Sequence, residues 1–464
     1  MFLSHESSEK IHEASLAVLQ KTGIKIEHEL GRKLLLENGA KADEGGRILI
    51  PRALVDEALT KAPSTITMYD RNGSPALELG TDKVYFGSGS DALYNISLET
   101  GKAEKSTIAD VERNAHLVDK LDQYDFVMST GLPCDIDPTL QYATIFAAMV
   151  KNTTKPLVVT STCVEELKKI YEISQFITNG ADLPFWLVYV EPISPLKFDD
   201  TCVDRLLYCA EKAIPFAFAA GANCAGGAPV TPEGGVVQGC AESLAGLVLA
   251  TLQSEKVRFI FGANTSSSDM RTGIVCYGAP EWAKTVAMYA DLGRFYKLPT
   301  WGTAGCTDSR ELDAQAGLEA YESILLALQS GVSLAHDVGY QVHGCQYDSR
   351  MLLLCNEMIR RAKQLLKPVE LTEDTLALEA IDEVSRGEGI YLTHQHTFNH
   401  FKKALWLPPK YFFRGNVNDE GPSIAKCLGK AVEKLLNKPH SGVLEPNKSQ
   451  KIDSLLQHDE THVQ

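Results

Sequence analysis

The chain has 464 residues, 45 of them basic and 60 acidic, for a formal charge of −15; that balance argues against a nucleic-acid backbone as partner, and the length allows one large core with extensions. Eleven cysteines run from Cys134 to Cys427 without CxxC spacing, the pattern of thiols in a reducing compartment rather than of a disulfide framework. The start, MFLSHESSEKIHEASL, has no basic stretch leading into an apolar one, and no apolar run reaches about eighteen residues, so a cytoplasmic protein, neither secreted nor membrane-spanning, is expected.

Residues 1–80 read as a mostly helical preface, with amphipathic segments at Ile11–Thr22 and Leu30–Asn38 and a short β element near Thr65–Tyr69. From Val84 onward, short β-rich apolar runs alternate with segments of helical period. The predicted strands are Val84–Ser88, Asp125–Gly131, Pro156–Thr162, Phe185–Glu191, Pro215–Gly221, Val257–Gly262, Leu298–Gly302 and Val332–Asp337. The predicted helices between them are Thr107–Leu121, Thr139–Lys151, Val164–Phe176, Asp200–Lys212, Val236–Ser254, Glu281–Phe295 and Leu312–Gln329, the first with a capping box of Thr107 and Asp110. Strand and helix alternating over 81–365 fit a closed (β/α)8 TIM barrel better than an open doubly wound sheet, because right-handed crossovers keep every helix outside. No GxGxxG follows an early strand, as a dinucleotide-binding sheet would require. Residues 366–464 are expected to be a helical extension ending in a polar tail.

In such a barrel the reactive side chains stand at the carboxyl ends of the strands. Those ends offer Asp91 and Tyr94 after strand one, Cys134 and Asp135 after strand two, and Glu191 after strand four. AAGANCAGG follows strand five, GANTSSSDMR strand six, GTAGCTDSR strand seven and HDVGYQVHG strand eight. Small residues cluster at 87–90, 219–228 and 302–305, which would leave a roomy funnel, although turn formation alone accounts for any single loop. Glu191, between an apolar strand and Pro192, is placed to favour a cation or to form a structural salt bridge. Tyr94, Tyr277, Trp301, Tyr340 and Tyr347 could give an aromatic enclosure for a quaternary ammonium, or simply pack. The segment WGTAGCTDSRELDAQ at 301–315 puts a small-residue turn, an acid, a base and an amide, among them Asp308, Arg310 and Gln315, within fifteen residues, and Arg271, Arg310 and His343 are candidates to hold a carboxylate. His394, His396 and His400 have the spacing of a metal cluster, but they follow the last barrel strand and lack an acidic or thiolate ligand nearby in the sequence. The Cys306 thiol has no base at a suitable spacing and reads as inert or pocket-lining.

EPISPL at 191–196, YGAPE at 277–281, WGTAGCTDSRELDAQAGLEA at 301–320 and the histidine-bearing stretch at 389–397 together resemble the trimethylamine methyltransferase family, over about residues 8–435. The resemblance implies a (β/α)8 barrel that moves a methyl group from a methylated amine to the corrinoid cobalt of a separate protein. Archaeal members acting on trimethylamine carry pyrrolysine in the segment matching roughly Gly302–Asp308; ordinary residues stand there in this chain, which points to the non-pyrrolysine branch and to quaternary amines, glycine betaine first and proline betaine, carnitine or γ-butyrobetaine as alternatives. On this reading Tyr94, Asp91 and Glu191 meet the ammonium, Arg310 with help from His343 holds the carboxylate, and Tyr340 and Gln315 complete the substrate site. Gly221, Asn223, Asn264, Gly302, Gly305, Cys306 and Asp308 then face the partner's corrinoid. The expected partners are the cognate corrinoid protein and a small quaternary ammonium, with no nucleic acid, membrane or tightly bound metal; a second copy of the chain is a further candidate partner. A barrel that binds quaternary amines without transferring the methyl, and a hydrolase using the C-terminal histidines, are the competing readings.

Overall fold

In the computed structural model, which describes residues 2–457 apart from 388, 410, 422, 440 and 441, each predicted strand contributes to one ring. The barrel strands are β1 (Tyr85–Phe86), β2 (126–127), β3 (Leu157–Val159), β4 (Trp186–Val190), β5 (Phe216–Ala220), β6 (Phe259–Ala263), β7 (Thr300–Thr303) and β8 (Leu334–His336). Seven pair in parallel in the order β1-β8-β7-β6-β5-β4-β3. The ring closes through β2, whose Phe126 bridges Gly87 and whose Val127 bridges Leu157, both in parallel. β2 is only a pair of bridges because a side chain takes over part of the ladder: Ser88 Oγ donates to Met128 O at 3.1 Å and accepts from Met128 N at 2.9 Å.

Alternation along the strands sorts two cores. Ala217 and Ala219 point inward with Phe126, Met128, Val158, Leu187, Ile260 and Trp301, whereas Phe216, Phe218 and Ala220 face the helices. The lower end of the barrel is plugged by the hairpin Ile66–Tyr69/Pro75–Leu79, whose Ile66, Met68, Leu77 and Leu79 join the inner core. Its Tyr69 N–H donates to Pro184 O at 2.9 Å, just before β4. Side chains therefore fill the barrel from below and leave the opposite, carboxyl end open.

The predicted helices form, the first with its Thr107–Asp110 capping box. The helix Pro232–Gln253 is long and apolar enough on average to cross a membrane, although polar residues such as Gln238 and Glu242 interrupt it, and 83% of its most apolar stretch is buried. It lies between β5 and β6 on one side and the N-terminal helices His5–Lys21 and Arg52–Lys61 on the other. A helix covered on both sides has no solvated face to keep polar, which is why its sequence carries so weak an amphipathic pattern. Beyond Ser349–Leu365 the chain continues in helices, among them Leu378–Arg386, Gln395–Ala404, Ile424–Leu436 and Pro446–Gln457.

Candidate functional site: an acidic, aromatic-lined barrel mouth

The loops above the carboxyl ends of the strands enclose a cavity of about 410 Å³. Asp91, Glu191 and Asp337 stand in its wall with Tyr189, Tyr277, Trp282, His336 and Tyr340. Glu191 comes from the end of β4, and alternation aims Tyr189, two residues earlier, at the same space. The Tyr189 hydroxyl donates to Glu191 Oε2 at 2.7 Å and accepts from Asn264 Nδ2 at 2.7 Å. Asn264 Oδ1 in turn accepts from Thr303 Oγ1 at 3.3 Å, and Thr303 Oγ1 lies 3.1 Å from His336 Nε2. One hydrogen-bonded belt thus runs across β4, β6, β7 and β8. Beneath it the fully buried Trp301 stacks on His336 with ring centroids 4.4 Å apart.

The acids are poorly compensated. Burial pushes the Asp91 carboxyl up to about 6, with Asp337 adding repulsion against hydrogen bonds from Thr160 and Ser90. Glu191 opens onto the cavity but has protein on its other sides, and this desolvation raises its pKa against the opposing bond from Tyr189. Asp337 Oδ1 comes to 2.8 Å from Nδ1 of His336, but that ring nitrogen has no aligned hydrogen-bond partner. Glycines make room for this crowding: a Cβ on Gly221 would lie 1.9 Å from Glu191 Oε1, and one on Gly89 would lie 2.4 Å from Asp337 Oδ1. Carboxylates and ring faces without a compensating charge suit a desolvated cation.

Of the residues singled out in the sequence, Asp91, Glu191, Tyr277, Tyr340, Gly221, Asn223 and Asn264 line this cavity. Others lie elsewhere. Tyr94 is 42% exposed on a side sheet, in a strand paired with Gln346–Tyr347. Gly302 follows inward-facing Trp301, so alternation turns it to the helices, where a Cβ would meet Val286 at 2.6 Å. Gly305 packs on Val338, and Cys306 is buried, its thiol 3.3 Å from Asp337 O and driven well up by burial, unsuited to a nucleophile. Asp308 is a clamp: its carboxylate accepts from Tyr277 N at 2.8 Å and Gly278 N at 3.2 Å, and His343 Nδ1 lies 3.0 Å from it. The loop is held from below by Glu319, which accepts from Thr307 Oγ1 at 2.6 Å and Asp308 N at 2.9 Å. Its continuation carries Arg310 and Gln315 to exposed positions, where Gln315 Nε2 donates to Glu319 at 2.9 Å. Arg271 pairs with Asp269 beside a neighbouring cleft. The histidine run also rearranges: His396 and His400 stack at 4.3 Å and gather with Asp374, an acidic neighbour distant in sequence, while His394 pairs with Glu383.

Sequence reasoning missed Tyr189, Trp282, His336 and Asp337. Tyr189 was available from the two-residue period ending at Glu191, and His336 and Asp337 from the end of strand eight. Trp282 had no local signal; it stands in the first turn of the helix Pro280–Tyr296, its ring 4.3 Å from that of Tyr277 in the same wall.

Fold and site define a (β/α)8 barrel with an acidic, aromatic pocket at its catalytic end. The chain belongs to the trimethylamine methyltransferase family, whose sequence pattern matches residues 1–453, and it is a methyltransferase of that family. A trimethylamine methyltransferase of Desulfitobacterium hafniense is 28% identical over 404 residues, covering 86% of this chain and 81% of the relative. A glycine betaine methyltransferase from another strain of that species is 27% identical over 412 residues, covering 88% and 85%. Among solved structures, the monomethylamine methyltransferase of Methanosarcina barkeri superposes with a TM-score of 0.54 at 12% identity, over 93% of this chain and 87% of that one.

Proposed function

We propose that this methyltransferase takes a methyl group from a quaternary ammonium compound and passes it to the cobalt(I) corrinoid of a separate protein. The observation that carries the reading is the cavity of about 410 Å³ walled by Asp91, Glu191 and Asp337 and by the rings of Tyr189, Tyr277, Trp282 and Tyr340. A quaternary nitrogen has no proton to donate, so ring faces and carboxylates are the groups that stabilise it. It also needs no activation. The cobalt nucleophile attacks the methyl carbon in line, the C–N electron pair stays on nitrogen, and a neutral tertiary amine leaves while cobalt(I) becomes methylcobalt(III). The chain's own part is to strip water from the cation, fix its orientation and leave one methyl facing the opening.

The rim supports a protein as acceptor. Leu93, Ile193, Val230, Met270 and Ile274, from the loops after β1, β4, β5 and β6, are between 45 and 62% exposed, or 75% for Met270. Apolar side chains grouped around an opening suit a docking partner. Glycine betaine is the substrate the sequence put first, but Arg310 and His343, its expected carboxylate contacts, do not line the cavity.

The experiment is to mix the protein with reduced corrinoid protein and a quaternary ammonium compound and follow the absorbance of methylcobalt(III). Formation of that spectrum only with both protein and amine present supports the reading; binding of the amine without methyl transfer would leave a binding barrel instead.

A further inference from the structure

The charge of the cavity says more about the substrate than that it carries a cation. Resting on the quaternary-ammonium reading, we propose that the substrate bears no carboxylate: it is a quaternary ammonium alcohol of the choline type, and betaines are selected against. Among the described residues that line the cavity there are three carboxylates and neither arginine nor lysine. The basic side chain that is present, His336, stands 2.8 Å from Asp337 and so offsets at most one of the three. The guanidinium that bears on Glu191 from outside, that of Arg205, is bound to the carbonyls of Thr201 and Ser161. Arg271 is tied to Asp269 by its fork, and Arg310 stands outside the lining.

A betaine must bury its carboxylate within a few ångströms of its ammonium. In this cavity that places a fourth negative group among three, with no cation to receive it, and like charges brought together in a partly dry site strongly disfavour the wrong ligand.

A second observation indicates what the other end of the substrate carries. Tyr340 is 3% exposed and lines the cavity, and its hydroxyl has no hydrogen-bond partner. A buried hydroxyl left unpaired is costly, and a ligand that supplies a partner recovers that cost. Asp337 and Asp91 both act on this phenol, which burial keeps protonated. A carboxylate accepting from Tyr340 would therefore sit beside two acids, whereas an alcohol can donate to or accept from it without bringing charge.

The test is calorimetric titration of the full-length protein at neutral pH with choline, tetramethylammonium, glycine betaine and carnitine, which requires no corrinoid partner. Choline is expected to bind at least about tenfold more tightly than either betaine, the margin that like-charge juxtaposition imposes, with tetramethylammonium between them. Tyr340→Phe should bring choline down to the affinity of tetramethylammonium and leave tetramethylammonium unchanged, which a merely structural loss would not do. Asp337→Asn, whose backbone conformation asparagine accepts, should narrow the gap between choline and glycine betaine. Glycine betaine binding as well as choline, or better, overturns this proposal and leaves the quaternary-ammonium reading intact. Choline binding no better than tetramethylammonium overturns the alcohol assignment, and failure of all four compounds to bind overturns both readings.

Discussion

Replacing Gly221 by alanine separates the charge of the cavity from the fold that carries it. The added Cβ would lie 1.9 Å from Glu191 Oε1, and the backbone at Gly221 is outside the left-handed region. The obstructing atom is the tip of a flexible side chain beside open space, so the carboxylate swings aside while the strand holds; the fold loses less than about 1 kcal/mol and gains something from a stiffer unfolded chain. Binding suffers more. The displaced carboxylate gives up the 2.7 Å bond from Tyr189 and its place beside the ammonium. A unit charge about 5 Å from a cation at an effective dielectric constant of about 20 contributes roughly 3 kcal/mol. Water around the displaced group returns part of that, leaving about 1.4 to 3 kcal/mol, or affinity about 10- to 100-fold weaker. Calorimetry with a quaternary ammonium that binds the unaltered protein, paired with a thermal melt, reads both quantities. Unchanged affinity at an unchanged melting temperature would refute the assignment of Glu191 to the cation, and a collapsed melting temperature would refute the claim that the side chain yields.

Asp91 predicts two pH dependences. Its carboxyl titrates at about 6 in the fold, above the ordinary 3.8, so cation affinity should fall as pH drops through 6. Between those values the folded chain holds a proton the unfolded chain has lost, and stability without ligand declines as pH rises from about 4 to 6. Asp91→Asn should remove that slope and stabilise the free protein above pH 6 by about 3 kcal/mol, measured by denaturant titration; a variant no more stable at pH 8 than at pH 4, relative to wild type, contradicts the desolvation argument. Trp301→Ala should cost about 3 to 5 kcal/mol, as expected for emptying a fully packed aromatic site; a smaller loss in the same titration would mean that the inner core can collapse into the space.

What the sequence made legible was what local pattern controls. Each barrel strand carries its own apolar run, and Asp91 and Glu191 stand where such runs end. Tyr189 was equally legible from alternation and went unread, and Gly302 was misread because its neighbour Trp301 takes the inward side. Arg310 shows the limit. Its place depends on Glu319, whose carboxylate holds Thr307 Oγ1 and Asp308 N, and on Asp308, which ties the β6 loop through Tyr277 and Gly278. Those contacts join the loops after β6 and β7 to a helix, and no periodicity within the motif reports them. Asp374 meets His396 and His400 in the same way, from more than twenty residues away.

The arrangement of the acids also explains why the barrel can tolerate them. Asp91 and Asp337, on the loops above the adjacent strands β1 and β8, both have left-handed backbone, with φ of 66° and 64°. Such conformations cost about 1 kcal/mol or more each and persist only where the surroundings enforce them. Here the enforcement is visible: Val338 N donates to Gly87 O and Thr130 N to Gly89 O, and Gly89 leaves room for both Asp337 and Tyr340. Below, the hairpin plug and Trp301 make the lower barrel dense, so the strain and mutual repulsion of the mouth rest on a core that does not depend on them. A cation entering the cavity relieves the repulsion without moving that core. The free energy withheld by unpaired acids in the empty site becomes binding free energy for the ligand, and it does so for positive charge alone.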